Sequence, residues 1–164
     1  MPADFLSLLQ RDHCDQQQEL TRLLEPTATV AELRSSLEGV RLGLVAHAEA
    51  ENIVLGRFEI IPVLQVLVAQ AHAAHLAQEG ALSALVTSRT GTSDWRDLAR
   101  HLRELVAYHA RQEEALLLPA LQAHASEEEI RRLAGAFATE RLRQLTILQP
   151  SAPEFEPFTI AEAI

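Results

Sequence analysis

Two histidine–carboxylate pairs stand out in this chain: His47 with Glu51, and His109 with Glu113, each four residues apart. On a helix that spacing places an imidazole and a carboxylate on one face, one turn apart. Both side chains can then address one ion, or two adjacent ions with the carboxylate bridging. Three more histidines, His13, His72 and His75, fall on helical seams that are otherwise largely apolar. Burying unpaired imidazoles and carboxylates costs several kcal/mol per ion, of order, unless a metal takes their lone pairs. His13, His47, Glu51, His72, His75, His109 and Glu113 are therefore the candidate metal ligands. A set of imidazoles and carboxylates without thiolate suits iron or manganese and is also accepted by zinc. The set exceeds what one tetrahedral zinc needs. Two six-coordinate irons bridged by Glu51 and Glu113 would use it, leaving room for an oxo or hydroxo bridge and a small gas ligand.

Helices must carry these residues. Leu, Ala, Glu and Arg dominate and aromatics are only 4% of the chain, which favours helix over strand. Breakers divide the sequence into five segments. The first runs from about Pro2 to Leu24, before Pro26. The second opens on the capping box Thr29–Glu32 and reaches about Leu55, ahead of Gly56. The third takes Pro62 in its first turn and ends near Ser88. After the loop 88–94, Ser93 or Asp94 caps a fourth helix to about Ala123, which Pro119 should kink or terminate. A second capping box, Ser126–Glu129, opens a fifth helix ending near Gln149. Residues 1–149 thus form one metal-binding helical domain. Residues 150–164, with three prolines, form an extended tail whose Phe155, Phe158 and Ile160 could cover the bundle or pair a homodimer.

The first four segments carry seams of alternating three- and four-residue spacing. These read Leu6, Leu9, His13, Gln16, Leu20, Leu23; then Leu33, Leu37, Val40, Leu44, His47, Glu51, Val54. The third reads Val68, His72, His75, Glu79, Leu82, Val86, and the fourth Leu98, Leu102, Leu105, His109, Glu113, Leu116. Short connections favour an all-α, up-down-up-down four-helix bundle with the fifth helix as an outer appendage. At about 1.5 Å per residue, His13, His47, His72 and His109 reach one level, with Glu51 and Glu113 one turn below. Leu9, Leu44, Leu105 and Leu116 would form the apolar surround. Cys14 reads as a small buried side chain, Tyr108 as packing, and His101 and His124 as surface residues.

Charge and composition remove other functions. Fourteen Lys plus Arg against 23 Asp plus Glu give −9 at pH 7, which argues against nucleic-acid binding and against an anionic membrane surface. No apolar run spans a bilayer, and the start of the chain lacks signal-peptide character. A single cysteine excludes an internal disulfide and fits a reducing, cytoplasmic setting. The only methionine is Met1, which disfavours a His/Met haem.

The order His13, His47-Ala-Glu-Ala-Glu51, His72 or His75, and His109-Ala-Arg-Gln-Glu113 resembles the hemerythrin-like, or HHE cation-binding, domains. The segment His109–Leu121, with Glu114 and Pro119, looks especially like that family's fourth helix, and the likeness covers about residues 5–149. Membership implies a four-helix bundle with two non-haem iron ions that binds dioxygen or related species. It also implies Glu51 and Glu113 as bridging carboxylates and the histidines as terminal ligands. The chain departs from the family's oxygen carriers in two places. His72 and His75 are three apart where the carriers' pair is four apart, and Glu113 or Glu114 stands where they place Asp. The expected function is a di-iron protein binding or sensing dioxygen, nitric oxide or peroxide. The alternatives are a di-iron oxidoreductase, peroxide-decomposing or ferroxidase-like, and a metal-free or zinc-filled interaction module.

Overall fold

The computed structural model describes residues 4–149. The expected helix start at Pro2 and the tail 150–164, with its three apolar residues, lie outside the described residues. Helix α1 spans Phe5–Arg22, α2 Val30–Leu55, α3 Pro62–Thr87 and α4 Ser93–Gln112. A π-helical turn, Glu113–Leu117, joins α4 to α5, Leu118–His124, so the three form one continuous rod. Helix α6 spans Glu127–Leu148. Among the described residues there is no strand, and no helix is long and apolar enough to cross a membrane.

Local chemistry sets the helix starts. Asp4 caps α1 by accepting from the Ser7 amide at 2.8 Å. Thr29 and Ser126 close full capping boxes with Glu32 and Glu129. At α4 the cap is Thr92, one residue before the expected Ser93 and two before Asp94; its hydroxyl accepts from the Trp95 amide at 3.2 Å. Pro119 does not end its helix. Proline has no N–H and crowds the preceding turn. Here it follows the wider π turn, in which the Leu118 amide bonds the Glu113 carbonyl, and the helical path continues to His124.

Helices α1 to α4 form a ring in chain order, each packed on the next and α4 back on α1. This is the up-down-up-down bundle. Two apolar clusters fill it. One gathers Phe5, Leu9, Val54, Leu64, Val68, Leu117, Leu121 and Phe137. The other gathers Leu20, Leu37, Leu44, Leu82, Trp95, Leu102 and Val106. A polar layer separates them: His13, Gln16, His47, Glu51, His75, Gln78, His109 and Glu113 are all buried.

The fifth rod, α6, is more than an outer appendage. It lies along α1 and α2, and Phe137 enters the core, with its ring 5.7 Å from Phe5 and 5.9 Å from the His47 imidazole.

Candidate metal centre

The second helix carries its seam as the spacing dictates, from Leu33 through His47 and Glu51 to Val54, all buried. The third seam differs from the expected one. It runs Leu64, Val68, Ala71, His75, Gln78, Leu82 and Leu85. A step of three from Val68 reaches Ala71 and a further four reaches His75, so His72 falls on the exposed face together with Glu79. On the fourth helix the buried positions are Trp95, Ala99, Leu102, Val106, His109 and Ala110. Leu116 is exposed and Leu105 only half-buried; Val106 and Leu117 take the inward places expected of them. The π turn explains the spacing beyond His109. Its slower rotation per residue keeps His109, Glu113 and Leu117 on one face although they are four and four apart.

Six of the seven candidate residues converge in the layer. One ligand-capable atom each from His13, His47, Glu51, His109 and Glu113 lies within 4.8 Å of all the others. His75 joins them, with its Nε2 3.9 Å from Glu51 and its ring 4.6 Å from that of His109. His72 is not brought in. Of the other singled-out residues, Cys14 and Tyr108 are exposed rather than buried or packed, whereas His101 and His124 are exposed as expected.

Three of the four imidazoles are held from behind. His47 Nδ1 lies 2.8 Å from Asp12 Oδ2, His13 Nδ1 2.9 Å from Glu114 Oε1, and His75 Nδ1 3.1 Å from Asn52 Oδ1. Each partner is an oxygen acceptor, so Nδ1 donates and Nε2 is the nitrogen turned into the layer, where it can offer its lone pair to an ion. Asp12 is in turn gripped by the Arg141 guanidinium. The sequence reading missed Asp12, Asn52 and Arg141. Each contact joins helices far apart in the chain, and the only local sign was that Asp12 and Asn52 adjoin candidate ligands.

The inward atoms have no hydrogen-bond partner. They are the Nε2 of His13, His47, His75 and His109, Oε2 of Glu51, and both oxygens of Glu113. His13 and His47 Nε2 each come within 3.2 Å of a carboxylate oxygen, of Glu113 and Glu51 respectively, without aligning to it. An unsatisfied buried polar group costs about 1–3 kcal/mol, so this layer alone costs on the order of a whole domain's net stability.

Proton occupancy offsets part of that cost. Burial opposes the charge on His47, but the Asp12 and Glu51 carboxylates overcome it and push its pKa up to about 9. Burial likewise opposes charge on Glu51, and the neighbouring His47 and His75 overcome it, holding Glu51 below the usual carboxylate range. Asp12 is also lowered: burial works against it, but His47 and Arg141 prevail. Burial drives His75 down to about 4 and His109 to about 3, and it lowers His13 with help from His47. Burial, with the charge of Glu51 beside it, raises Glu113 well above its ordinary value.

Four inward imidazole nitrogens and two carboxylates inside a four-helix ring are a cation-binding arrangement, and the family comparison agrees. The Hemerythrin HHE cation binding domain matches residues 4–121. The chain belongs to this family. No curated protein matches it, and no solved structure does. The hemerythrin-like domain fits its cation on chemistry as well as by membership. Imidazole and carboxylate are the donors, the orphaned atoms need ligands, and there are too many of them for one tetrahedral ion.

A cleft of about 320 Å³ between α3 and α4 reaches this layer from solvent, touching Ala71, Ala74, Tyr108, His109 and Glu113. A smaller one of about 130 Å³ between α2 and α3 touches Asn52, His75 and Gln78.

Proposed function

We propose that this hemerythrin-like domain is a non-haem di-iron protein of the cytoplasm that binds or senses dioxygen or a related small species such as nitric oxide or peroxide. The observation that carries the reading is the set of seven orphaned donor atoms, four imidazole nitrogens and three carboxylate oxygens, buried at one level. His13, His47, His75 and His109 would be terminal ligands, and Glu51 and Glu113 would bridge two ions. Bound iron would supply a redox-active centre with positions open to a small molecule; manganese or zinc could occupy the same donors. The protein's own part is to orient, shield and admit. Asp12, Asn52 and Glu114 fix three imidazoles with Nε2 inward. Leu9, Leu44, Val106 and Leu117 keep the surroundings apolar. The α3–α4 cleft gives a diatomic molecule a path to His109 and Glu113.

Elemental analysis of protein expressed with iron supplied tests this. About two irons per chain, falling to background in His47→Ala and Glu113→Ala, is the expected result. Zinc, or no metal at all, would instead support a helical interaction module.

A second reading, an oxidoreductase such as a peroxide-decomposing or ferroxidase-like enzyme, draws on the same cleft. Its floor beside His109 and Glu113 is the methyl group of Ala71, four residues before His75, so that position offers no ligand. A centre left open there and reached from solvent suits turnover better than storage. Catalytic loss of added peroxide, abolished by Glu113→Ala, would decide for the enzyme.

A further inference from the structure

The family match ends at residue 121, yet one charged residue beyond it is wired to a candidate ligand. Arg141, on α6, sits with its Nε 2.9 Å from Asp12 Oδ2 and a terminal nitrogen 2.6 Å from Oδ1, a two-point grip on the carboxylate. Asp12, on α1 and only 6% exposed, presents Oδ2 to His47 Nδ1 on α2 at 2.8 Å. Three helices are thus linked in one chain of charge-assisted hydrogen bonds ending on an imidazole whose other nitrogen faces the layer.

We propose that Arg141 is a positioning residue for the metal centre, and that α6 is therefore a working part of the site. The inference rests on the metal-binding reading above. A guanidinium fork fixes both oxygens of a carboxylate in one plane. So held, the Asp12 carboxylate keeps the Nδ1 hydrogen of His47 and fixes the ring, so Nε2 is the nitrogen that yields its proton to an ion. Without Arg141 the carboxylate loses its fixed plane and the guanidinium charge beside it. Phe137 packs on the same imidazole from the same helix, so α6 restrains the ring by contact as well as through Asp12.

Cobalt(II) is a suitable probe, because its visible spectrum reports the ligand field as well as occupancy. Cobalt affinity by chelator competition would be measured for the full chain and for Arg141→Gln, Arg141→Lys, Asp12→Asn and the Asp12→Asn/Arg141→Gln double variant. Outer partners of metal-bound histidine typically change affinity by about 10- to 100-fold. Arg141→Gln is expected to weaken cobalt binding by about 10-fold and shift the spectrum, with Arg141→Lys recovering part of the loss. The double variant should bind no more weakly than Asp12→Asn alone, because Arg141 acts through Asp12. Losses that multiply in the double variant would mean that Arg141 merely pins α6 to the bundle and would overturn the proposal. Unchanged affinity and spectrum in Arg141→Gln would overturn it as well. Failure of the unaltered chain to bind cobalt would strike the metal-binding reading itself.

Discussion

At the scale of single residues, the centre is defined by which histidine turns inward. His72 and His75 are three apart, about 60° around a helix, and only one can share the face of Val68, Ala71 and Leu82. His75 does, and Asn52 holds its Nδ1. His75→Ala is therefore expected to lower the metal content of purified protein, whereas His72→Ala should leave it at the level of the unaltered chain. Equal losses in the two variants would contradict the inward face described here. His13, His47, Glu51, His109 and Glu113 could be read from spacing and chemistry alone. Asp12, Asn52 and Arg141 could not, because their partners lie 35, 23 and 129 residues away in sequence.

At the scale of elements, helix ends and one irregular turn set the register. The two capping boxes were legible because they are contained within four consecutive residues. The loop before α4 was legible too, and its glycine has a specific reason: Gly91 adopts φ +87°, a region costly for any residue with a Cβ. Gly91→Ala is expected to destabilise the fold by about 1 kcal/mol in urea denaturation, with little effect on metal content. A smaller cost is expected to accompany a shifted α3–α4 turn. Thr92→Ala removes the cap of α4 and should also cost about 1 kcal/mol. The π turn escaped the sequence reading. Pro119 signals a break, yet widening the preceding turn frees the same backbone groups without one, and the choice was made by packing Leu117, Leu118 and Leu121 into the core.

For the whole molecule, the polar layer is a structural liability that a bound cation would convert into stability. Two apolar clusters flank it, and a metal held by this layer would bind the folded state only, so saturating metal should raise the midpoint of thermal unfolding and chelation should lower it. The comparison with an apolar layer is sharper. A His75→Leu/His109→Leu variant, assayed with chelator present, is expected to be more stable than the metal-free natural chain, since it replaces two buried imidazoles with unpartnered Nε2 atoms by hydrocarbon. Lower stability in that variant would mean that the layer is already satisfied without a cation. The sequence by itself determined the helices, the seams of α1 and α2, the all-helical ring and the type of donor at its centre, because amphipathic period, caps and ligand chemistry are local properties. The tertiary structure alone decided three things: His75 over His72, the wider turn at Glu113, and the reach of α6 through Arg141 to His47. These depend on how faces from distant segments meet, and a one-residue rotation about a helix axis, about 100°, is enough to change them.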